Sequence, residues 1–348
     1  MTGILQGALS SGRALLVGWI LPSLINVLIF GFVAAPALVG FGTTGTDAAR
    51  AAIAGLVTTT VLGLVLAAVQ TPLYRVLEGY LGWPKRLSQA GLRRQLTTKH
   101  LLRNRVDAAV LARQERAGQL TGDAPKLAAF RAHPVVGRYA DEDVRRGSVW
   151  LGVLRERLHR YPLDDRQVAP TRLGNAIRRF EEYGHNRYRL DSQVLWHELN
   201  AAVPEAARKQ TDDARMTVDF FICLLYGHLL VVVALVVTLA VGVAARPWVT
   251  GATVLGLLLL TTIWYRLAIE ATDEWAGAVR AMVNLGRRPL AEALGLRIPY
   301  GIEEERAMWL LVSDLVTSDF YPGLSALDTY RAAPEGPTAP VDSPVAES

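Results

Sequence analysis

Residues 217–244 read TVDFFICLLYGHLLVVVALVVTLAVGVA, and this stretch decides the fold. Asp219, close to its start, and His228 are its only Asp, Glu, Lys, Arg or His. The run exceeds the roughly 20 residues with which an α-helix crosses a ~30 Å hydrocarbon core. A charge at the centre of such a span costs at least ~2.5–3.5 kcal/mol, and the middle of the run carries none. Three further stretches have the same character: residues 14–40, 51–74 and 247–269. Working outward from them, the chain reads as an all-α membrane protein of two transmembrane helical hairpins with a helical cytoplasmic domain. The first hairpin falls in residues 1–74, the cytoplasmic domain in 75–216 and the second hairpin in 217–269. A C-terminal helical cytoplasmic segment follows over 270–331, then a disordered tail over 332–348.

Composition agrees with that division. The 348 residues are 51% hydrophobic and 20% charged, with a mean hydropathy of +0.22. That is too apolar for a typical soluble protein and too charged for one lying wholly in lipid. The middle region is long enough to hold a core of its own, while the C-terminal segment is marginal alone and is expected to dock on it. The one cysteine, Cys223, lies inside a span, so no intrachain disulfide is possible. Ala34-Ala35-Pro36-Ala37 loosely resembles a signal-peptide cleavage site. The apolar run before it is longer than an ordinary signal peptide, so a retained span is expected.

Basic residues close to the spans set the orientation. Arg75, Lys85, Arg86, Arg93 and Arg94 follow the second span; Arg208, Lys209 and Arg215 precede the third; Arg266 and Arg280 flank the end of the fourth. The short connections on the other side offer only Arg50 and Arg246. The positive-inside rule therefore puts the N-terminus, middle domain and C-terminus in the cytoplasm and both hairpin loops outside, in a cell membrane. Tyr74, Tyr80, Trp83, Trp264 and Tyr265 fall at the inferred cytoplasmic interface, where amphipathic rings settle.

The region between the hairpins shows no alternating strand pattern of useful length. Leu92, Leu96, Leu102, Val106 and Val110 recur at loosely helical spacing after a break at Gly82-Trp83-Pro84. Residues 118–125 read as a loop. A helix is expected over about 141–160, stopped by Tyr161-Pro162, and another from Pro170-Thr171 through Phe180. Asp191 or Ser192 is expected to cap a helix with Leu195, Trp196 and Leu199, and Pro204 to start one running into the third span. Beyond the fourth span a helix is expected to reach about Leu285. The next begins after Gly301, where Glu303, Glu304 and Glu305 complement the helix dipole.

Pro170-Thr171-Arg172-Leu173-Gly174-Asn175, then Arg187-Tyr188-Arg189-Leu190-Asp191 and Leu195-Trp196, resemble a pattern in bacterial multi-pass membrane proteins of no known activity. The stretch from Glu303 to Trp309 is similar to their C-terminal helix. The resemblance implies a topology and transfers no functional residue.

No enzyme signature stands out. His185, His197 and Glu198 are the only local group with metal-ligand chemistry, but His197 and Glu198 are adjacent and point about 100° apart on a helix. A phosphate loop, a nucleophile elbow and a His-Glu-x-x-His helix are all missing, so neither a cofactor nor catalysis is expected. Basic residues in the middle are interspersed with acids, without the aromatic interleaving of a nucleic-acid surface. Attraction to anionic lipid headgroups at the cytoplasmic face accounts for them.

The polar residues within the spans include Asn26, Thr58, Thr59, Thr60, Gln70, Asp219 and His228. His228 and Asn26 are the intramembrane candidates for a pathway, against a plainer role as a hydrogen bond between helices. Asp219 and His228 lie nine residues apart, on opposite faces of one helix, and cannot form one relay along it. At the cytoplasmic interface Asp212, Asp213, Asp219, Arg266, Glu270, Asp273 and Glu274 make a candidate ionic cluster. Salt bridges between helix extensions are its plain reading, and an ion vestibule its sharper one. Two functions are open: a non-enzymatic scaffold presenting its cytoplasmic domain to a protein partner, or a homo-oligomeric channel for ions or small solutes.

Overall fold

The computed structural model describes residues 12–34, 45–141 and 143–332. The end of the expected first span, with Ala35-Pro36-Ala37, and the expected disordered tail from residue 333 onward lie outside the described residues. Among those described, every regular element is helical, and the sole bridge is an isolated one between Leu296 and Arg331.

In chain order the helices are α1 (Gly12–Val33), α2 (Gly45–Ala68), α3 (Gln70–Glu78), α4 (Lys85–Arg116), α5 (Ala124–Ala132), α6 (Gly137–Asp141) and α7 (Asp143–His159). Then come α8 (Arg172–Glu181), α9 (Tyr183–Tyr188), α10 (Trp196–Ala202), α11 (Glu205–Ala240), α12 (Pro247–Ala293) and α13 (Ile302–Thr317). Four of them, α1, α2, α11 and α12, are long and apolar enough to cross a membrane.

The described residues divide into two compact units: those up to Glu181 with Lys209–Val279, and Glu182–Arg208 with those from Arg280 onward. Residues 75–181 and 209–216 fall in the first unit and residues 182–208 in the second.

In the first unit the four apolar helices form a bundle. Trp19, Leu66 and Cys223 bring α1, α2 and α11 together, and Val231, Val232, Leu235 and Leu257 continue the contact to α12. The outer surface is equally apolar: Phe32 is 79% exposed, Leu56 65% and Leu255 70%. Left in water, side chains of this kind each forgo ~1.5–3 kcal/mol of burial, and hydrocarbon removes that cost.

Helices α5, α6 and α7 pack on α4. Leu102, Val106, Leu151, Leu154 and Tyr161 make one core with α7; Ala108, Leu111, Leu127 and Val136 make another with α5 and α6. The short α5 and α6 escaped the sequence reading, because Pro125 in a first turn and few periodic apolar residues leave little pattern. Two polar residues of α4 are also buried. Gln95 accepts from the Tyr161 hydroxyl at 2.9 Å, and Lys99 donates to Asp165 at 2.7 Å and to the Leu163 carbonyl at 3.0 Å.

The Pro-Thr-Arg-Leu-Gly-Asn motif is a helix start. Thr171 Oγ1 accepts from the Gly174 amide at 3.0 Å, while the Asn175 side chain both accepts from and donates to the Ala169 backbone. A Cβ at Gly174 would come within 2.7 Å of the Glu78 carbonyl, so α8 closes on α3 only with glycine there.

The second unit has its own core of Leu190, Leu195, Leu199, Met282, Leu290, Met308, Trp309 and Val312. Glu305 is buried in it, receiving Arg287 through both carboxylate oxygens and the Trp309 indole N–H at 3.2 Å. The Arg-Tyr-Arg-Leu-Asp motif turns here. Arg189 adopts a left-handed φ of 62° after α9, and Asp191 accepts from the amides of Gln193 and Val194. Helix α12 continues past the expected end at Leu285 and contains Pro289. Buried Leu290 and Ala291 hold that extension, and the carbonyl that Pro289 cannot bond belongs to exposed Leu285.

Candidate functional site

Polar contacts join the helices within the apolar bundle. Asn26 on α1 and His228 on α11 are both 1% exposed, and His228 Nδ1 lies 2.8 Å from Asn26 Oδ1. The Asn26 amide donates to the Pro22 carbonyl at 2.8 Å, which leaves its oxygen to accept from the imidazole N–H. Gly227 makes the approach possible, since a Cβ there would overlap the Asn26 amide. The edge of His228 meets Trp264 with ring centroids 6.1 Å apart. One turn lower, Cys223 lies 3.7 Å from Ser23 Oγ and 3.5 Å from the Trp19 carbonyl. Lower still, the Tyr74 hydroxyl donates to Asp219 Oδ1 at 2.6 Å, and Arg215 approaches the other oxygen at 3.9 Å.

Asp219 is therefore held by α3 and Arg215, His228 by α1. Among the described residues no hydrogen bond joins the two.

The candidate ionic cluster is distributed among separate partners. Asp273 is gripped from two sides, by Arg160 at 2.5 and 2.9 Å and by Arg179 at 2.6 Å. Asp213 faces Arg13 at 3.8 Å, and Asp212 precedes it on α11. Glu274 is exposed. Arg266 and Glu270, one turn apart on α12, form no salt bridge with each other; both line a cavity instead. Neither guanidinium that holds Asp273 was nominated from sequence, because both come from distant segments.

Among the carboxyl groups outside the spans, Glu78 and Asp165 are shifted in opposite directions. Burial pushes Glu78 at the end of α3 up to about 7, with neighbouring Glu181 adding to it and Arg75 and Arg178 opposing. Hydrogen bonds from Lys99 and His100 hold Asp165 below the usual carboxylate range.

The cavity beside Arg266 has a volume of about 400 Å³. Arg105, Arg157, Arg160, Arg172 and Arg266 line it, with Glu270 as its one carboxylate. Among the described residues no three His, Cys, Asp or Glu side chains gather as a metal ion would need. His185 instead contacts Arg189 at 3.0 Å. Compared with family models, curated proteins and solved structures, the chain matches none.

Proposed function

We propose that the chain is an integral membrane scaffold without catalytic activity, presenting its non-membrane helices to a protein partner. In this reading α1 with α2 and α11 with α12 form two transmembrane hairpins. The basic residues beside their ends set the orientation, with the middle and C-terminal regions in the cytoplasm of a cell membrane.

The observation that carries the reading is the closure of Asn26 and His228 on each other. Asn26 and His228, the residues a pore would use, are 1% exposed and spend their hydrogen bonds within the chain. The surface the bundle offers to lipid or to a second copy is apolar. The helices outside the bundle, by contrast, build several separate cores. Structure on that scale suits presentation of a surface.

The test is the mass and protein composition of the complex purified from native membranes in mild detergent, followed by reconstitution. A stoichiometric second protein, cross-linked to the non-membrane helices, with vesicles tight to small ions, is expected. A symmetric homo-oligomer whose vesicles conduct, with flux lost in Asn26→Leu and His228→Leu, would replace the scaffold by a channel. Orientation has its own check. Thr121→Cys is expected to resist an impermeant thiol reagent applied to intact cells, and Arg246→Cys to react.

A further inference from the structure

The cavity at Arg266 concentrates charge that the protein leaves unanswered. Of its five arginines, only Arg160 is bound to carboxylates, Asp273 and Glu156. Among the described residues Arg157, Arg172 and Arg266 form no ion pair. Arg105 stacks over Tyr139 at 4.7 Å, and its Nε is buried without a hydrogen-bond partner. Guanidinium groups facing one shared space repel one another, and one carboxylate, Glu270, does not balance them. An anion with several acceptor oxygens converts that repulsion into charge-assisted hydrogen bonds, and the planar guanidinium fork matches phosphate in particular.

Position narrows the source of the phosphate. A second hollow of about 550 Å³ shares Arg172, Arg266 and Ile269 with the first and adds Arg94. Its border carries Trp83 and Leu87, whose side chains are exposed, together with Thr262 and Tyr265 of the fourth apolar helix. Basic groups on one side and exposed apolar and aromatic groups on the other describe an amphipathic ligand, charged at its head and apolar beyond it.

We propose that this cavity is a phosphate-binding site, with Arg105, Arg157, Arg172 and Arg266 as ligands, filled by the headgroup of an anionic phospholipid. Its acyl chains run past Leu87 and Trp83 along α12. The site rests on the membrane-spanning character of α12 and is independent of any partner the scaffold carries.

The experiment uses the delipidated full chain in an uncharged detergent, titrated with phosphatidylglycerol, phosphatidylcholine or inorganic phosphate. Binding is read directly by native mass spectrometry and as a shift in the thermal midpoint. Saturable binding of phosphatidylglycerol to the wild-type chain, without a comparable response to phosphatidylcholine, is expected. Arg157→Gln/Arg172→Gln/Arg266→Gln is expected to weaken it about 100-fold, each basic group beside an anionic surface contributing roughly fivefold. The single change Arg266→Gln, at an exposed position, is expected to weaken it about fivefold. Removing the same charge elsewhere, in Arg103→Gln/Arg113→Gln/Arg155→Gln, is expected to leave affinity within about threefold. Equal binding of inorganic phosphate, lost in the first triple variant, would keep the phosphate site and overturn the lipid assignment. No saturable binding to the wild type, or equal losses in the two triple variants, would overturn both.

Discussion

Two sets of polar residues in the first unit behave oppositely. Inside the apolar bundle, Asn26, His228, Tyr74 and Asp219 each meet a partner from another helix. At the end of the fourth apolar helix, Arg157, Arg172 and Arg266 face a shared space with no carboxylate bound to them. The contrast separates two uses of polarity. A buried polar group without a partner is costly, so these four are closed on one another in pairs and serve packing. Arg157, Arg172 and Arg266 are exposed and bear no such penalty. Asp273 stands between the two cases: it is charged and near the boundary, yet fully engaged.

The comparison breaks most visibly at Asp273. Replacing it with alanine leaves Arg160 and Arg179 side by side, the latter largely buried, without the carboxylate that joined them. A loss of about 3 kcal/mol is expected, toward the lower end for a broken, partly buried pair. Thermal unfolding in detergent measures it, and a midpoint within about 1 °C of wild type would show the site to be as loosely held as the cavity arginines.

Inside the bundle the expected effect is smaller and has a recognisable pattern. Asn26→Leu or His228→Leu leaves one polar group buried without its partner, at a cost of about 1–3 kcal/mol. The double variant is expected to lose less than the sum of the two, with a coupling of about 0.6–1.7 kcal/mol. Strict additivity would mean that the 2.8 Å contact contributes nothing beyond packing.

Glu78 tests burial at the boundary through pH. Its folded value near 7 lies above the ordinary 4.5, so between those values the folded chain holds a proton that the unfolded chain releases. The associated stability is complete below about 4.5 and is lost as pH rises through 7. Glu78→Gln is therefore expected to stabilise the protein by about 1–2 kcal/mol at pH 8, discounted because the group is only half-buried, and hardly at all at pH 5. A gain independent of pH would assign the effect to packing against α8.

How much of this was legible in the sequence follows from how local each signal is. Hydrocarbon demands a minimum apolar length, so residues 217–244 and the other three runs declared themselves. Pro170-Thr171 announced a helix start because a cap is made within a few residues, although the clamp of Asn175 on Ala169 was not foreseen. Helix α12 runs past its expected end near Leu285 and through Pro289, because the burial of Leu290 and Ala291 that holds the extension is tertiary. The partners of Asp273 had no signal, and of the cavity's charged lining only Arg266 and Glu270 stood out, as members of the ionic cluster. Arg105, Arg157, Arg172 and Arg266 come from four separated segments, and only packing on α4 and α12 makes them neighbours.

Glu270 sharpens the comparison where the expected effect on stability is smallest. It sits one turn from Arg266, the spacing at which a helix favours a salt bridge, yet the two do not pair. Its removal should therefore cost little, and Glu270→Gln is expected to shift stability by no more than about 0.5 kcal/mol. Its charge, however, is the one negative contribution to the cavity wall, and it opposes any anion bound there. The same variant is expected to tighten phosphatidylglycerol binding about fivefold. Glu274→Gln, one turn further along α12 and outside the cavity lining, is expected to change neither quantity. If the two variants bind anionic lipid alike, the attraction belongs to the whole basic face. If only Glu270→Gln binds more tightly, the attraction belongs to the cavity.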